Sequence, residues 1–527
     1  MNDAKFRTNF DVLLMMKKLI SVLLGICCMG CGHFLDDYSQ DLVIPKSVTD
    51  LDEVLLGSAY LPYGKADRLM AGGPGWWLHI LDDDVNTAIS ESAVSAEHSY
   101  MGGNYYGYYA WQAEVGRNYK KTSINADDGL WKTLYSKINA ANIILAELEN
   151  NIQRTTTAEV EDGNRIEGEA LFLRAQFYLM LVNLYADAYD PDKASSTLGV
   201  PLKLTEYVEH DPDKTTQFER TPVAEVYRRM VEDLKQAVDC FEKGSKPKSV
   251  FRASQEAALL LLSRVYLYMQ DWENARQAAS DFLALKSDLK GYVGWDSTSV
   301  VTLESQEIVF TQGKQSLQKA ITGKSGEFCV SADLYGLYDS LDMRKGIFFT
   351  KADSMGLHLK YERGDDPSYL GDVFMLRSPE GYLNLAEAYA MLGEAGKASE
   401  CLNRLRSVRI KGYQAKTYSE TEIIDEVRAE RRRELCFEGH RWFDLRRYAV
   451  CKKAPFGKVI DHVYARYDVN HKNVFTNAEV YRLEENDPAY TFAIPKQVLE
   501  FDAGMPDNVR PKREYIRTIT SKDLEIK

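Results

Sequence analysis

Two stretches combine flat rings with amides and carboxylates: MAGGPGWWLHILDDDVNT at 70–87 and YMGGNYYGYYAWQ at 100–112. Core aromatics usually recur at helical or strand spacing, whereas these cluster among Gly, Asn and Ser, which predicts a loop platform at the surface. Aromatic rings stack on the apolar faces of sugar rings, and neighbouring amides and acids bond the hydroxyls. The ligand-binding candidates are therefore Trp76, Trp77, Tyr105, Tyr106, Tyr109 and Trp111, with Tyr100 and Tyr108 in the same cluster. Asp82, Asp83, Asn86 and Asn104 are the polar candidates, and Trp295, with Tyr292, Tyr335 and Tyr338, would extend the platform. The competing expectation is that half or more of these rings pack the loops onto the body of the protein. Asp82-Asp83-Asp84 offers oxygen ligands of the calcium type, yet adjacent acids usually form a solvated turn.

Other chemistries find less support. Cys240, Cys329, Cys401, Cys436 and Cys451 are scattered without a C-x-x-C pair and read as buried thiols, not as a zinc site or disulfide framework. The eight histidines include no H-E-x-x-H, so neither a metal nor another cofactor is expected. A net charge of −13 argues against nucleic acid, which needs a basic face. Acids are too plentiful for the sequence to identify the carboxylate pair of a glycoside hydrolase.

The elements that must position these residues are mostly helical. Apolar periodicity marks helices over about 45–64, 127–150, 167–189 and 223–243, and Thr221-Pro222 opens the last of these. Residues 254–285 read as a helix–turn–helix pair turning at Met269 to Trp272, and 381–408 as a second such pair. Both carry small residues at the crossing (Ala275, Ala278 and Ala279; Ala398 and Cys401), the pattern of stacked tetratricopeptide-like hairpins. The predicted fold is mostly α: a tetratricopeptide-like helical hairpin scaffold, an α/α superhelix, with long irregular insertions and minor β. Short β-branched runs fall at 299–303 and 307–311, and 490–501 reads as a strand meeting a short helix.

The most specific stretch is EIIDEVRAERRRELCFEGHRWFDLRRY, 422–448. It reads as a long helix, a sharp turn at Gly439 and a short helix from Trp442 to Tyr448. Its arginines and acids interleave, as in salt-bridge ladders, so it reads as a structural ion-paired hairpin rather than an anion site. At the other end, Met15-Met16-Lys17-Lys18 precedes LISVLLGICCMG, an apolar run of signal-peptide length, which points to translation from Met15 or Met16. Gly30-Cys31 resembles a bacterial lipobox, making residues 1–30 a lipoprotein signal and Cys31 the lipidated first residue.

Several motifs in order resemble the SusD/RagB-like family of outer-membrane nutrient-uptake lipoproteins. They are Cys31 with Phe34-Leu35-Asp36, W-x-x-x-Y-x-x-I-x-x-A-N at 131–142, E-A-L-F-L-R-A at 169–175, and Asp271-Trp272 with Ala275. Y-L-x-x-A-E-A-Y at 382–389, R-x-x-E-L-x-F-E-G-x-R-x-x-D-L-x-R at 431–447 and Ala493-Ile494-Pro495 complete the series. The resemblance implies a single SusD-like domain over 31–527, with ligand-binding loops around 70–120 and 286–380. It also implies an outer-membrane, lipid-anchored location facing the exterior, and capture of oligosaccharides, or of peptides in some branches. The implied partner is a SusC-like TonB-dependent transporter, and the implied role is binding without cleavage. The remaining alternatives are a glycoside hydrolase on a helical scaffold and a helical-repeat protein that binds only other proteins. The first predicts turnover of polysaccharide, and the second leaves the 70–112 aromatics without a use.

Overall fold

The computed structural model describes residues 45–62, 75–89, 105–119, 129–207, 213–295, 298–313, 321, 328–350, 356–361, 370–468 and 474–524. Cys31, Tyr100 and Asn104 lie outside the described residues.

Helix α1 (Val48–Val54) leads into a π-helical turn, Leu55–Ala59. The scaffold follows: α2 (Gly129–Asn150), α3 (Thr157–Tyr185), α4 (Val223–Lys243), α5 (Gln255–Met269) and α6 (Trp272–Leu285). After an insertion come α7 (Ser378–Met391), α8 (Ala395–Ser407), α9 (Ile423–Leu435) and α10 (Arg441–Ala449). From α2 to α8 each helix packs on the next along the chain, and α9 packs on α7. Each hairpin thus buries its face on its neighbour, the stacking of a tetratricopeptide-like array.

Local chemistry sets the ends. The Thr156 hydroxyl and the Glu159 carboxylate form a capping box, which starts α3 ten residues before its apolar run begins at 167. Gln270 in the left-handed conformation (φ 61°) ends α5, and the Asp271 side chain caps α6. Where α6 crosses α7, a Cβ on Gly381 would lie 2.3 Å from the Phe282 ring, so only glycine admits this approach.

The β structure is small. β1 (Val85–Thr87) pairs antiparallel with β3 (Phe328–Val330), and β2 (Ile308–Phe310) pairs with β4 (Leu376–Arg377). β5 (Ile460–Asp468), β6 (Val474–Leu483) and β7 (Arg517–Ile519) form a three-stranded antiparallel sheet. The expected run at 299–303 makes only a bridge, from Val301 to Tyr361. Over 490–501, read as a strand meeting a short helix, the helix forms at Lys496–Phe501, but no strand precedes it, only a 3-10 turn, Pro488–Tyr490.

The α9–α10 hairpin is ion-paired, but to the rest of the protein more than to itself. Glu434 accepts from Arg344 (2.9 Å), Arg377 (2.6 Å) and Arg409 (3.0 Å), all fully buried. Glu438 pairs with Arg377 and Lys360, Glu430 with Arg344 and Arg406, and Arg447 with Glu387. Burial alone would raise the Glu434 carboxyl, but the three guanidiniums hold it well below the usual range. The helix ends at Leu435, before Gly439: Cys436 leaves the helical conformation (ψ 139°), and Phe437 (φ 60°) and Gly439 (φ 75°) then turn left-handed.

Candidate ligand-binding face

The aromatic segment lies against the β5–β6 sheet and the C-terminal residues in two layers. The inner layer is closed. Trp111 and Tyr109 are both fully buried, and the His462 imidazole stacks on each ring, at 4.3 Å from Tyr109 and 4.1 Å from Trp111. Trp111 donates its indole N–H to Leu81 O at 2.8 Å, and His462 Nδ1 lies 2.8 Å from Tyr109 O and Nε2 2.9 Å from Asp82 O, to one of which the neutral ring donates. Burial lowers the His462 pKa to about 4, so the ring is neutral at pH 7. Trp77 stacks on Tyr108 at 4.6 Å and packs on Phe492, while Trp76 meets Tyr105 edge-on. Trp76, Trp77, Tyr109 and Trp111 therefore do not form the open stacking platform that their clustering suggested. Rings of the same segment, Tyr105 and Tyr108, and distant groups, His462 and Phe492, pack against them.

The outer layer is partly open. Tyr105, Tyr106 and Tyr119 are half-buried, and Tyr515 is 49% exposed. Tyr106 sits edge-on to Tyr119, Tyr464 and Tyr481, and Tyr119 stacks on Tyr464 at 5.4 Å. The Tyr119 and Tyr481 hydroxyls donate to the two oxygens of Glu479, at 3.0 and 2.7 Å, and Tyr106 bonds Tyr481 at 2.9 Å. Arg466 lies over Tyr119 and pairs with Glu479 at 3.3 Å. Burial and the Glu479 charge push Tyr119 up to about 12, so these phenols stay protonated as hydrogen-bonding groups. With both its oxygens accepting from tyrosines, Glu479 is suited to holding rings in place rather than to moving protons. Gly107 closes the turn that presents Tyr106, since a Cβ there would lie 2.4 Å from Val115 O. The sequence reading missed Tyr119, Tyr464, Tyr481 and Tyr515. The alternation around Tyr464 and Tyr481 was the available signal.

The polar candidates divide. Asn86 bonds Tyr109 and Val463, inside the assembly. Asp82, Asp83 and Asp84 are buried, which corrects both the ligand role assigned to Asp82 and the solvated-turn alternative. Arg441, Arg432 and Lys458 pair with Asp83, and Arg432 with Asp84. Burial opposes ionisation of Asp83, yet Arg441 and Arg432 hold its carboxyl well below the usual range. At Asp82, burial and the neighbouring Asp84 and Asp83 charges push the carboxyl well above that range. The side-chain oxygens of the three acids come within 4.8 Å of one another, but a divalent cation would have to displace cations the chain already supplies. Trp295 is half-buried in a separate turn, donating to Thr298 O at 2.5 Å, and Tyr292 and Tyr338 are buried.

Residues 81–267 match a family profile described as "Starch-binding associating with outer membrane", and residues 359–510 match one described as "SusD family". A SusD-like protein of Formosa agariphila is 24% identical over 267 residues, covering 48% of this chain and 43% of that protein. The chain thus aligns with less than half the length of that relative. Among solved structures, a putative sugar binding protein from Bacteroides vulgatus has a TM-score of 0.64 at 22% identity, covering 89% of this chain and 99% of that one. A SusD superfamily protein from Bacteroides thetaiotaomicron has a TM-score of 0.63 at 22% identity, covering 88% and 100%. Likenesses at this identity carry the fold.

Proposed function

Because the chain belongs to the SusD/RagB family, we propose that it captures oligosaccharides at the cell surface and passes them to a SusC-like TonB-dependent transporter without cleaving them. Residues 31–527 act as one domain, tethered to the outer membrane through lipid on Cys31 and facing the exterior. Several acyl chains on one cysteine make such a tether stable, at about 0.8 kcal/mol per buried methylene. Among the described residues no helix is long and apolar enough to cross a membrane, and a lipid tether needs none.

The observation that carries the binding role is the half-open tyrosine layer. Tyr105, Tyr106 and Tyr119 present ring faces and edges held by a tyrosine–glutamate network. Rings fixed in this way lose little entropy when a sugar stacks on them. Their hydroxyls supply directional bonds beside the stacking surface. Trp295 extends the binding surface as a separate contact. Trp76, Trp77, Tyr109 and Trp111 contribute by supporting the outer rings from beneath.

The test is calorimetric titration of residues 32–527 against a panel of polysaccharides and oligopeptides, with a reducing-end assay on the same panel. Saturable glycan binding without release of reducing ends supports the reading. Release of reducing ends overturns it in favour of a hydrolase, and a response to oligopeptides alone changes the cargo to peptide.

A further inference from the structure

On β6, Glu479 and Tyr481 stand two residues apart and so share one side of the strand, and the cross-strand neighbour of Glu479 is Tyr464. Glu479 is 5% exposed and Tyr481 3%. They form the buried base that holds Tyr106 and Tyr119, which are half-buried and, with Tyr105, make up the tyrosine face.

Counting hydrogens gives this base a direction. A carboxylate accepts and cannot donate, whereas a phenol carries one hydrogen and two lone pairs. Glu479 takes the Tyr119 hydrogen on one oxygen at 3.0 Å and the Tyr481 hydrogen on the other at 2.7 Å. With the Tyr481 hydrogen spent, the 2.9 Å bond between Tyr106 and Tyr481 has only one sense: Tyr106 donates. Arg466, 3.3 Å from Glu479, brings further N–H donors and no acceptor. Burial raises the Tyr106, Tyr119 and Tyr481 phenols, so all three keep their hydrogens at neutral pH. Every hydrogen of the relay therefore runs inward, towards Glu479. Among the described residues no donor is bonded to the Tyr106 or Tyr119 oxygen, so lone pairs are what each has left for a ligand.

Such an oxygen bonds a ligand group that brings its own hydrogen. A free sugar hydroxyl does so. An ether or ester oxygen does not, and two acceptors pressed together leave both unpaired, which costs more than the bond itself would have gained. The discrimination comes from the relay alone and needs no charge on the ligand.

We propose that Glu479 fixes the hydrogen-bond polarity of the tyrosine face, so that Tyr106 and Tyr119 meet a glycan as acceptors and select free hydroxyl groups over etherified or acylated ones. The ligand class is an oligosaccharide unsubstituted where it touches these two phenols, and O-methylated or O-acetylated forms of the same chain are rejected. Glu479 and Tyr481 are positioning residues, acting through Tyr106 and Tyr119. The inference rests on the glycan capture proposed above and specifies which groups of the glycan this face reads.

The experiment is calorimetry of residues 32–527 with maltohexaose, cellohexaose and xylohexaose, each also in its fully O-methylated form. All these probes are uncharged, so the Arg466 guanidinium does not bias the comparison. The parent is expected to bind at least one hydroxylated probe about ten-fold more tightly than its methylated form. Methyl groups add bulk as well as removing donors, so the deciding readout is how variants change that ratio. In Glu479→Gln the new amide nitrogen donates to a phenol oxygen. Facing Tyr119, it releases that hydrogen to the ligand; facing Tyr481, it turns the Tyr481 hydrogen to Tyr106, which then has its own to give. Tyr481→Phe removes the acceptor of Tyr106 and frees the same hydrogen. Both variants should lower the ratio about three-fold, and Tyr106→Phe should weaken the hydroxylated probe while leaving the methylated one unchanged. An unchanged ratio in Glu479→Gln and Tyr481→Phe overturns the proposal and leaves glycan capture standing. Neutron diffraction of the unliganded parent needs neither variant nor ligand. Deuterons of Tyr106 and Tyr119 directed at Tyr481 and Glu479 are expected, and either one directed outward overturns the proposal. Inward deuterons with no hexasaccharide bound overturn glycan capture, and the ligand class with it.

Discussion

Arg432 donates to Asp84 across 348 positions of sequence, at 2.7 Å and in the interior. This bond ties the segment that leads into the aromatic layer to the helix of the charged hairpin. Removing the guanidinium takes the cation from buried Asp84 and one of three from Asp83. Arg432→Ala is expected to cost about 3–5 kcal/mol in chemical denaturation. Because Arg441 and Lys458 still hold Asp83, the double variant Arg432→Ala/Asp84→Asn should recover part of that loss.

The same logic predicts an effect at least as large at Glu434. One carboxylate there serves three buried guanidiniums. Glu434→Gln keeps the shape and removes the charge, and should destabilise the protein by about 3–5 kcal/mol or prevent folding. Circular dichroism during denaturant titration reads the difference. A loss below about 1 kcal/mol would mean that the remaining acids of the cluster neutralise it unaided.

Acid sensitivity should appear above the pH at which carboxylates titrate. The folded His462 pKa is about 4 and that of a free imidazole about 6.5. Between these values the unfolded chain binds the proton and the folded chain does not. Stability is therefore full above about 6.5 and falls as pH drops towards 4, by about 3 kcal/mol from this residue. His440, lowered well below its usual value by burial and by neighbouring arginines, adds in the same direction. Melting temperatures taken from pH 7.5 to 4.5 test this, and His462→Gln should flatten the slope.

The two aromatic layers should separate stability from affinity. Trp111→Ala opens a cavity in the core and is expected to cost about 3–5 kcal/mol. Its folded fraction should lose little affinity for a glycan bound at the tyrosine face. Tyr119→Ala and Tyr106→Ala remove half-exposed rings, and should lower affinity about ten-fold while costing less stability. The opposite result, a Trp111 variant that folds well and no longer binds, would return the ligand contact to the inner layer.

The helical scaffold was legible because its signal is local. Apolar periodicity located the α5–α6 turn at 269–272 and the paired helices near 381–408, where small residues mark the crossings. The β5–β6 hairpin was not read, although Ile460, His462 and Tyr464 alternate inward. A histidine and a charged partner strand mask an apolar period of two. The site was half legible. The described aromatics of 70–112 do gather in one region of the fold. Their burial was invisible, because the covering groups, His462 and Phe492, lie more than 350 residues downstream of Tyr109 and Trp111. Likewise, the arginines of 428–447 suggested a ladder within the hairpin, while Arg344, Arg377 and Arg409 came from elements with no charge pattern of their own.

The ionic core also orders the birth of the fold in time. Asp83, Arg344, Arg377 and Arg409 precede in the chain the residues from Glu430 to Arg441 that pair with them. Until that late segment emerges, closing the scaffold would bury several unmatched charges. A chain ended before about residue 440 would lack these partners and is expected to stay open and hydrated there. The last fifth of the polypeptide thus carries the charges that this ionic core needs in order to close.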